Sequence, residues 1–164
     1  MKCLIFANGE YGPLDAYKDL ADDVKLVICA DGGANYAYSL GINPDYIIGD
    51  LDSIKDEVKG YYLAQGVRFN KYPCAKDFTD TQLALSLAAE LGADEIVMVG
   101  TQGGRLDMSM SNIYAGLEMA REGKKILHYS PLCTVYLLTG RLRLEGREGD
   151  MVSVLALSDR AEGV

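Results

Sequence analysis

Up to about residue 129 the chain alternates between two hydrophobic patterns. One is a short run of apolar or β-branched residues: CLIFA (3–7), KLVICA (25–30), YIIG (46–49), VRFN (67–70), EIVMVG (95–100) and KILHY (125–129). These runs predict strands. The first, second and fifth are nearly continuous in apolar character, as strands covered on both faces require. The other pattern has helical spacing. Between residues 78 and 91, Leu83, Leu87 and Leu91 recur at every fourth position with Ala84 and Ala88 beside them, and Gly92 is a natural C-cap. Residues 107–122 predict a further helix that ends in Arg121 and Gly123. Such alternation predicts an α/β fold, with a mostly parallel sheet built from right-handed crossovers and helices on both faces.

After residue 132 the pattern changes. CTVYLLTG (133–140), RLRLEG (141–146) and DMVSVLAL (150–157) read as three short strands separated by glycine-containing turns, with no helix between them. RLRLE alternates strictly, the mark of an antiparallel strand with one wet face. The expected division is therefore an α/β catalytic domain over residues 1–129 and the start of an all-β, sandwich-like unit over 130–164. Three strands are too few for a stable sandwich, so the second unit reads as incomplete.

Composition narrows the range of partners. At 164 residues, 49% hydrophobic and 24% charged, the chain can bury a real core and is not a disordered segment. The net charge of −8 disfavours nucleic-acid phosphates or anionic membrane as a partner. No apolar run approaches a membrane span, and MKCLIFANGE lacks the apolar stretch of a signal peptide. Four widely spaced cysteines, Cys3, Cys29, Cys74 and Cys133, form no CxxC pair. They read as buried free thiols of a cytoplasmic protein.

The candidate chemistry lies in four acidic clusters at predicted strand ends or helix starts. ADGGAN (30–35) puts Asp31 at the end of a strand, with Asn35 near a helix start. GDLDS (49–53) carries Asp50 and Asp52, two apart and so on one side of an extended segment. Paired carboxylates repel each other, a cost that a bound cation offsets. The competing reading is an Asx-turn with Ser53 capping the next helix. KDFTD (76–80) has Asp77 and Asp80 spaced as in a capping box, with Thr79 between them. GTQGGRLD (100–107) is neither a P-loop nor a GxGxxG fingerprint. Its helix-start amides can still receive phosphate oxygens, and Arg105 supplies a planar fork, with Asp107 and Asn112 beyond. His128 lies on a predicted strand and reads as structural, and no nucleophile–base pairing points to covalent catalysis.

The ordered set ADGGAN, PDYIIGDLDS (44–53), KDFTD and GGRLD with Asn112 resembles thiamin pyrophosphokinases (thiamine diphosphokinases), and ANGE (7–10) fits as well. The resemblance covers about residues 3–160. It implies a Rossmann-like domain followed by a β-sandwich, a homodimer, and Mg²⁺-dependent transfer of diphosphate from ATP to the hydroxyl of thiamin, giving thiamin diphosphate and AMP. Carried over by motif, Asp50, Asp52 and Asp80 are the expected metal ligands. Asp31, Asn35, Thr79, Arg105 and Asn112 are the expected nucleotide contacts, and Asp77 or Asp107 the expected carboxylate on the thiamin hydroxyl. Met108 stands where many bacterial members carry His. Two alternatives stay open: a diphosphokinase for another alcohol such as a pterin, and a non-catalytic nucleotide-binding or dimerisation module. Acceptor-dependent release of AMP separates the three.

Overall fold

In the computed structural model, which describes residues 1–75 and 77–159, all six early apolar runs pair in one sheet. The strands are β1 (Lys2–Phe6), β2 (Leu26–Ala30), β3 (Tyr46–Gly49), β4 (Arg68–Lys71), β5 (Glu95–Val99) and β6 (Lys125–Tyr129). A seventh, β7 (Thr134–Leu137), completes the order β4-β3-β2-β1-β5-β6-β7. Pairings among the first six are parallel, and β7 runs antiparallel to β6. The connecting helices are α1 (Gly33–Ser39), α2 (Asp56–Ala64), α3 (Asp80–Glu90) and α4 (Leu106–Arg121), with a 3₁₀ helix over Leu14–Ala21. None is long and apolar enough to cross a membrane.

The side-chain period of two divides each central strand between two cores. Cys3 and Ile5 of β1 pack with Ile28, Ile96 and Met98 beneath Ala84, Leu85 and Ala88 of α3 and Ala120 of α4. Leu4 and Phe6 pack with Val27, Cys29, Ile47 and Val99 against Tyr17, Ala34, Ala37, Val58 and Tyr62 on the opposite face. In α3 the fully buried stripe is Ala84, Leu85 and Ala88, while Leu83 and Leu87 pack at its margin and Leu91 is exposed. Small residues lie nearest the sheet because a helix crossing a central strand approaches it closely.

Three expectations are revised. CTVYLLTG forms a hairpin with β6 and so belongs to the main sheet rather than opening a separate one. Among the described residues RLRLEG and DMVSVLAL form no strand, and Met151, Val152, Val154 and Leu155 face solvent. A strand needs a partner for its backbone groups, and alternation in sequence does not supply one. Of the four cysteines only Cys3 and Cys29 are buried; Cys74 and Cys133 are exposed.

From β1 the chain steps outward to β4, then returns through α3 to β5 on the other side of β1. This reversal is the topological switch point of an open α/β sheet, where a crevice opens past the strands' carboxyl ends.

Candidate functional site

A cleft of about 560 Å³ opens at that point, lined on one side by Asp31, Asp50, Asp52 and Asp80 and on the other by residues 7–10 and 100–105. Past the ends of β1 and β5 the two loops continue the pairing. Ala7 donates to the Val99 carbonyl at 2.8 Å, Gly9 to Gly100 at 2.7 Å and Glu10 to Gln102 at 2.8 Å. A Cβ on Gly9 would lie 2.3 Å from the Gly100 oxygen, so only glycine lets the loops close this tightly. Tyr36 lines the cleft with Tyr11 stacked on it, ring centroids 3.9 Å apart. Tyr11 is fixed in turn by its hydroxyl on the Ala7 carbonyl at 2.7 Å.

On the acidic side the backbone leaves the strands through left-handed residues. Asp31 has φ 44° and Leu51 has φ 67°, conformations that are costly for residues with a Cβ. The Asp31 amide continues the sheet by donating to the Ile48 carbonyl at 2.8 Å. Its carboxylate is 5% exposed and accepts the Ser53 amide at 3.3 Å. Leu51 buries its side chain, so the turn sends Asp50 and Asp52 the other way, toward the cleft. The two are thus gathered by a left-handed turn rather than by an extended segment. The Asx-turn is present too, since the Asp52 amide donates to Asp50 Oδ1 at 3.3 Å.

Asp80 arrives at the first position of α3. Thr79 is the cap: its Oγ1 accepts the Gln82 amide at 3.2 Å and its own amide donates to Gln82 Oε1 at 2.8 Å. The capping box is therefore Thr79–Gln82 and not Asp77–Asp80. Asp77 precedes the helix, is exposed and does not line the cleft. Gly49, at φ 142°, makes room for the acidic cluster. A Cβ there would sit 2.9 Å from the Asp80 carboxyl carbon and 3.1 Å from Asp31 Cβ. Carboxylate oxygens of Asp31, Asp50 and Asp80 consequently lie within 4.8 Å of one another. Asp50 also groups at that range with Asp52 and Cys74. Burial, and then the charge of Asp80, push the Asp31 carboxyl above the ordinary range, against the opposing hydrogen bonds from Ser53 and Gly32. An all-oxygen, hard-donor set under mutual repulsion is the donor chemistry of Mg²⁺.

The remaining expected residues divide. Asn35 is not on the cleft wall. Its Nδ2 donates to the Ser53 carbonyl at 2.9 Å and its Oδ1 accepts the Lys55 amide at 3.0 Å, so the side chain clamps the loop that carries Asp50 and Asp52. Arg105 lines the cleft and caps α4, but its guanidinium is held by Asp107, which lies off the wall. The loop amides are also engaged, Gly103 with Ser109 Oγ at 3.2 Å and Gly104 with Glu10 Oε1 at 2.8 Å. An acidic side chain of the chain itself thus holds an amide expected for phosphate. Asn112 is buried at the cleft floor, and its Nδ2 donates to the Thr101 carbonyl at 2.8 Å. Thr101, Tyr36 and the role of Glu10 were missed from sequence. The strand-end rule that found Asp31 and Asp50 reaches Glu10 and Thr101 as well, when applied to the ends of β1 and β5.

Known proteins share this fold. Residues 17–128 match the family model described as thiamin pyrophosphokinase, catalytic domain. Thiamine pyrophosphokinase 1 of Oryza sativa subsp. japonica is 31% identical over 140 residues, 73% of this chain and 52% of the rice chain. Thiamine pyrophosphokinase of Bacillus subtilis is 34% identical over 105 residues, 62% of this chain and 49% of its own length. The crystal structure of the Bacillus subtilis protein superposes with a TM-score of 0.65 at 29% identity, covering 80% of this chain and 61% of that one. The chain spans about half the length of the curated relatives it matches. With the family match extending across most of its α/β sheet, the chain belongs to the thiamin pyrophosphokinase family.

Proposed function

We propose that the cleft binds Mg²⁺ and ATP and that the protein transfers the β,γ-diphosphate of ATP to the hydroxyl of thiamin, releasing AMP and forming thiamin diphosphate. The observation that carries this reading is the convergence of Asp31, Asp50 and Asp80 opposite a glycine-rich loop that ends in Arg105. In the reaction the thiamin oxygen forms a bond to the β-phosphorus, the bond from that phosphorus to the α,β-bridging oxygen breaks, and AMP carries the bridging oxygen away.

Asp31, Asp50 and Asp80, with Asp52 beside them, would hold Mg²⁺, which would supply charge neutralisation for the triphosphate. The protein's own groups supply position. Arg105, exchanging Asp107 for phosphate oxygens, stabilises charge that develops at the transferred group. Asn35 and Ser53 hold the carboxylate loop rigid, and the stacked Tyr11–Tyr36 pair keeps one wall fixed. Diphosphate transfer depends chiefly on such alignment and on electrostatics, and little on a strong base. Asp77 and Asp107 remain the candidate carboxylates for orienting the hydroxyl, Asp107 once Arg105 has released it. The reading extends to a homodimer in which residues 138–157, with their exposed Met151, Val152, Val154 and Leu155, belong to a further β unit.

Incubation with Mg²⁺, ATP and thiamin tests the proposal. The expected result is release of AMP that requires thiamin and matches the thiamin diphosphate formed. AMP release only with another alcohol such as a pterin would reassign the acceptor. Nucleotide binding without turnover would make the chain a binding module.

A further inference from the structure

Behind the glycine-rich loop lies a buried polar contact that the transfer reaction does not use. His128, on β6, is 1% exposed and is the only histidine in the chain. Its Nδ1 lies 2.9 Å from Thr101 Oγ1, and its Nε2 is buried with no hydrogen-bond partner among the described residues. Thr101 is 3% exposed, lines the cleft, and opens the loop that leads into the sixteen-residue helix α4. Its carbonyl is held by Asn112, and among the described residues its hydroxyl meets only His128.

The proton in this contact can lie on either side. If the hydroxyl donates to Nδ1, the ring carries its hydrogen on Nε2. That N–H then points into the contact of Gly116 with Leu137 and Ile126, where a Cβ on Gly116 would meet Leu137 at 2.8 Å, Ile126 at 3.0 Å and Nε2 at 3.6 Å. Among the described residues Nε2 meets no acceptor, and a buried donor without a partner is a rare and costly feature. If Nδ1–H donates instead, Nε2 presents only a lone pair to the apolar contact. The Thr101 hydroxyl hydrogen is then left without an acceptor among the described residues. Burial also holds the imidazole neutral, lowering its pKa to about 4.

We propose that His128 is fixed as the Nδ1–H tautomer and, by donating to Thr101 Oγ1, turns the Thr101 hydroxyl hydrogen toward the cleft as a donor to an anionic oxygen of the bound ligand. Thr101 is then a binding residue and His128 a positioning residue that acts through it. On the nucleotide reading above, on which the ligand half of this proposal rests, the acceptor is a phosphate oxygen.

A single histidine makes the test clean. Long-range proton–nitrogen correlation spectra of the ¹⁵N-labelled free protein at neutral pH should show a protonated Nδ1 and a pyridine-type Nε2. A protonated Nε2, or averaging between tautomers, overturns the proposal whatever the cleft binds. In the second arm Mg²⁺ with a non-hydrolysable ATP analogue is titrated into the wild type and three variants. Thr101→Val should bind about tenfold more weakly, the loss of one hydrogen bond to a charged acceptor. His128→Leu should weaken binding similarly, whereas His128→Asn, whose amide nitrogen stands near the former Nδ1, should restore it. Ligand binding should also shift the His128 Nδ1 resonance in the wild type. Unchanged affinity in Thr101→Val, or equal affinity in the Leu and Asn variants, sinks the ligand-facing role. Failure of the wild type to bind the analogue would instead overturn the nucleotide reading and the phosphate contact with it, while the tautomer stands on the free-protein spectrum.

Discussion

On the β2–β3 side of the cleft three carboxylates are held within 4.8 Å by a backbone that turns left-handed at Asp31 and Leu51. On the β1–β5 side most polar groups are paired within the wall, Gly103 with Ser109, Gly104 with Glu10, Arg105 with Asp107 and Asn112 Nδ2 with Thr101, while Asn112 Oδ1 is buried without a hydrogen-bond partner among the described residues. The first wall stores repulsion and strain that a cation would relieve. The second wall must trade internal hydrogen bonds for ligand bonds and so gains less per contact. The difference teaches that affinity should be dominated by the acidic wall and selectivity by the glycine-rich one.

Asp50→Asn attacks the acidic wall at the residue shared by both carboxylate groups. Mg²⁺-dependent nucleotide affinity, measured by calorimetry, should fall more than the roughly 10–100-fold that changes outside the ligand set cause. A near-wild-type value would remove the acidic cluster from metal binding. Gly49→Ala presses a methyl into the same cluster at a left-handed backbone position. It should lower stability by about 3 kcal/mol in urea unfolding, from overpacking and backbone strain together. A loss below about 1 kcal/mol would mean that the cluster relaxes easily.

The two walls also respond to acid with opposite sign. His128 has its pKa lowered to about 4 by burial, from an ordinary 6.5. The unfolded chain therefore binds a proton first as pH falls through this window. Stability is lost between pH 6.5 and about 4, by up to about 3 kcal/mol, and His128→Asn should flatten that slope. Asp31 behaves in reverse. Its folded pKa is raised by burial and by Asp80, so the folded state holds the proton more tightly, and the metal-free protein loses stability as pH rises through that pKa. Asp31→Asn should accordingly raise the melting temperature of the metal-free protein at neutral pH while weakening its response to Mg²⁺. A variant that melts lower without metal would contradict this account. The smallest effect is expected at Glu10→Ala, which frees the Gly104 amide and removes a negative charge from the phosphate side. Nucleotide affinity should rise, by less than about tenfold for one exposed hydrogen bond and one screened charge.

Strands β1, β2 and β5 were legible because burial on both faces forces continuous apolar runs such as LVICA and EIVMV. Helices α1 and α2 were visible only as the consequence of turns, since tyrosines and a central Gly60 blur their apolar faces. For β7 the strand was legible and its partner was not: TVYL has the same pattern whether it closes a hairpin on β6 or begins a new sheet. Asp31, Asp50 and Asp80 could be found because strand ends and helix starts are marked by glycine and by caps. The distinction between ligand and brace was not legible. Asn35 and Asp50 look alike in sequence, yet one amide is consumed by Ser53 and Lys55 while one carboxylate joins the cluster. Which role a polar side chain takes depends on backbone groups brought near it from another loop, and local sequence does not record them.

The left-handed turns at Asp31 and Leu51 also have a consequence in time. The bends that bring the carboxylates together are made when the chain folds, so an arriving ion need not wait for the loop to rearrange. An ion that bound there would be captured as fast as it can shed water, and its departure would leave the cradle in the same shape.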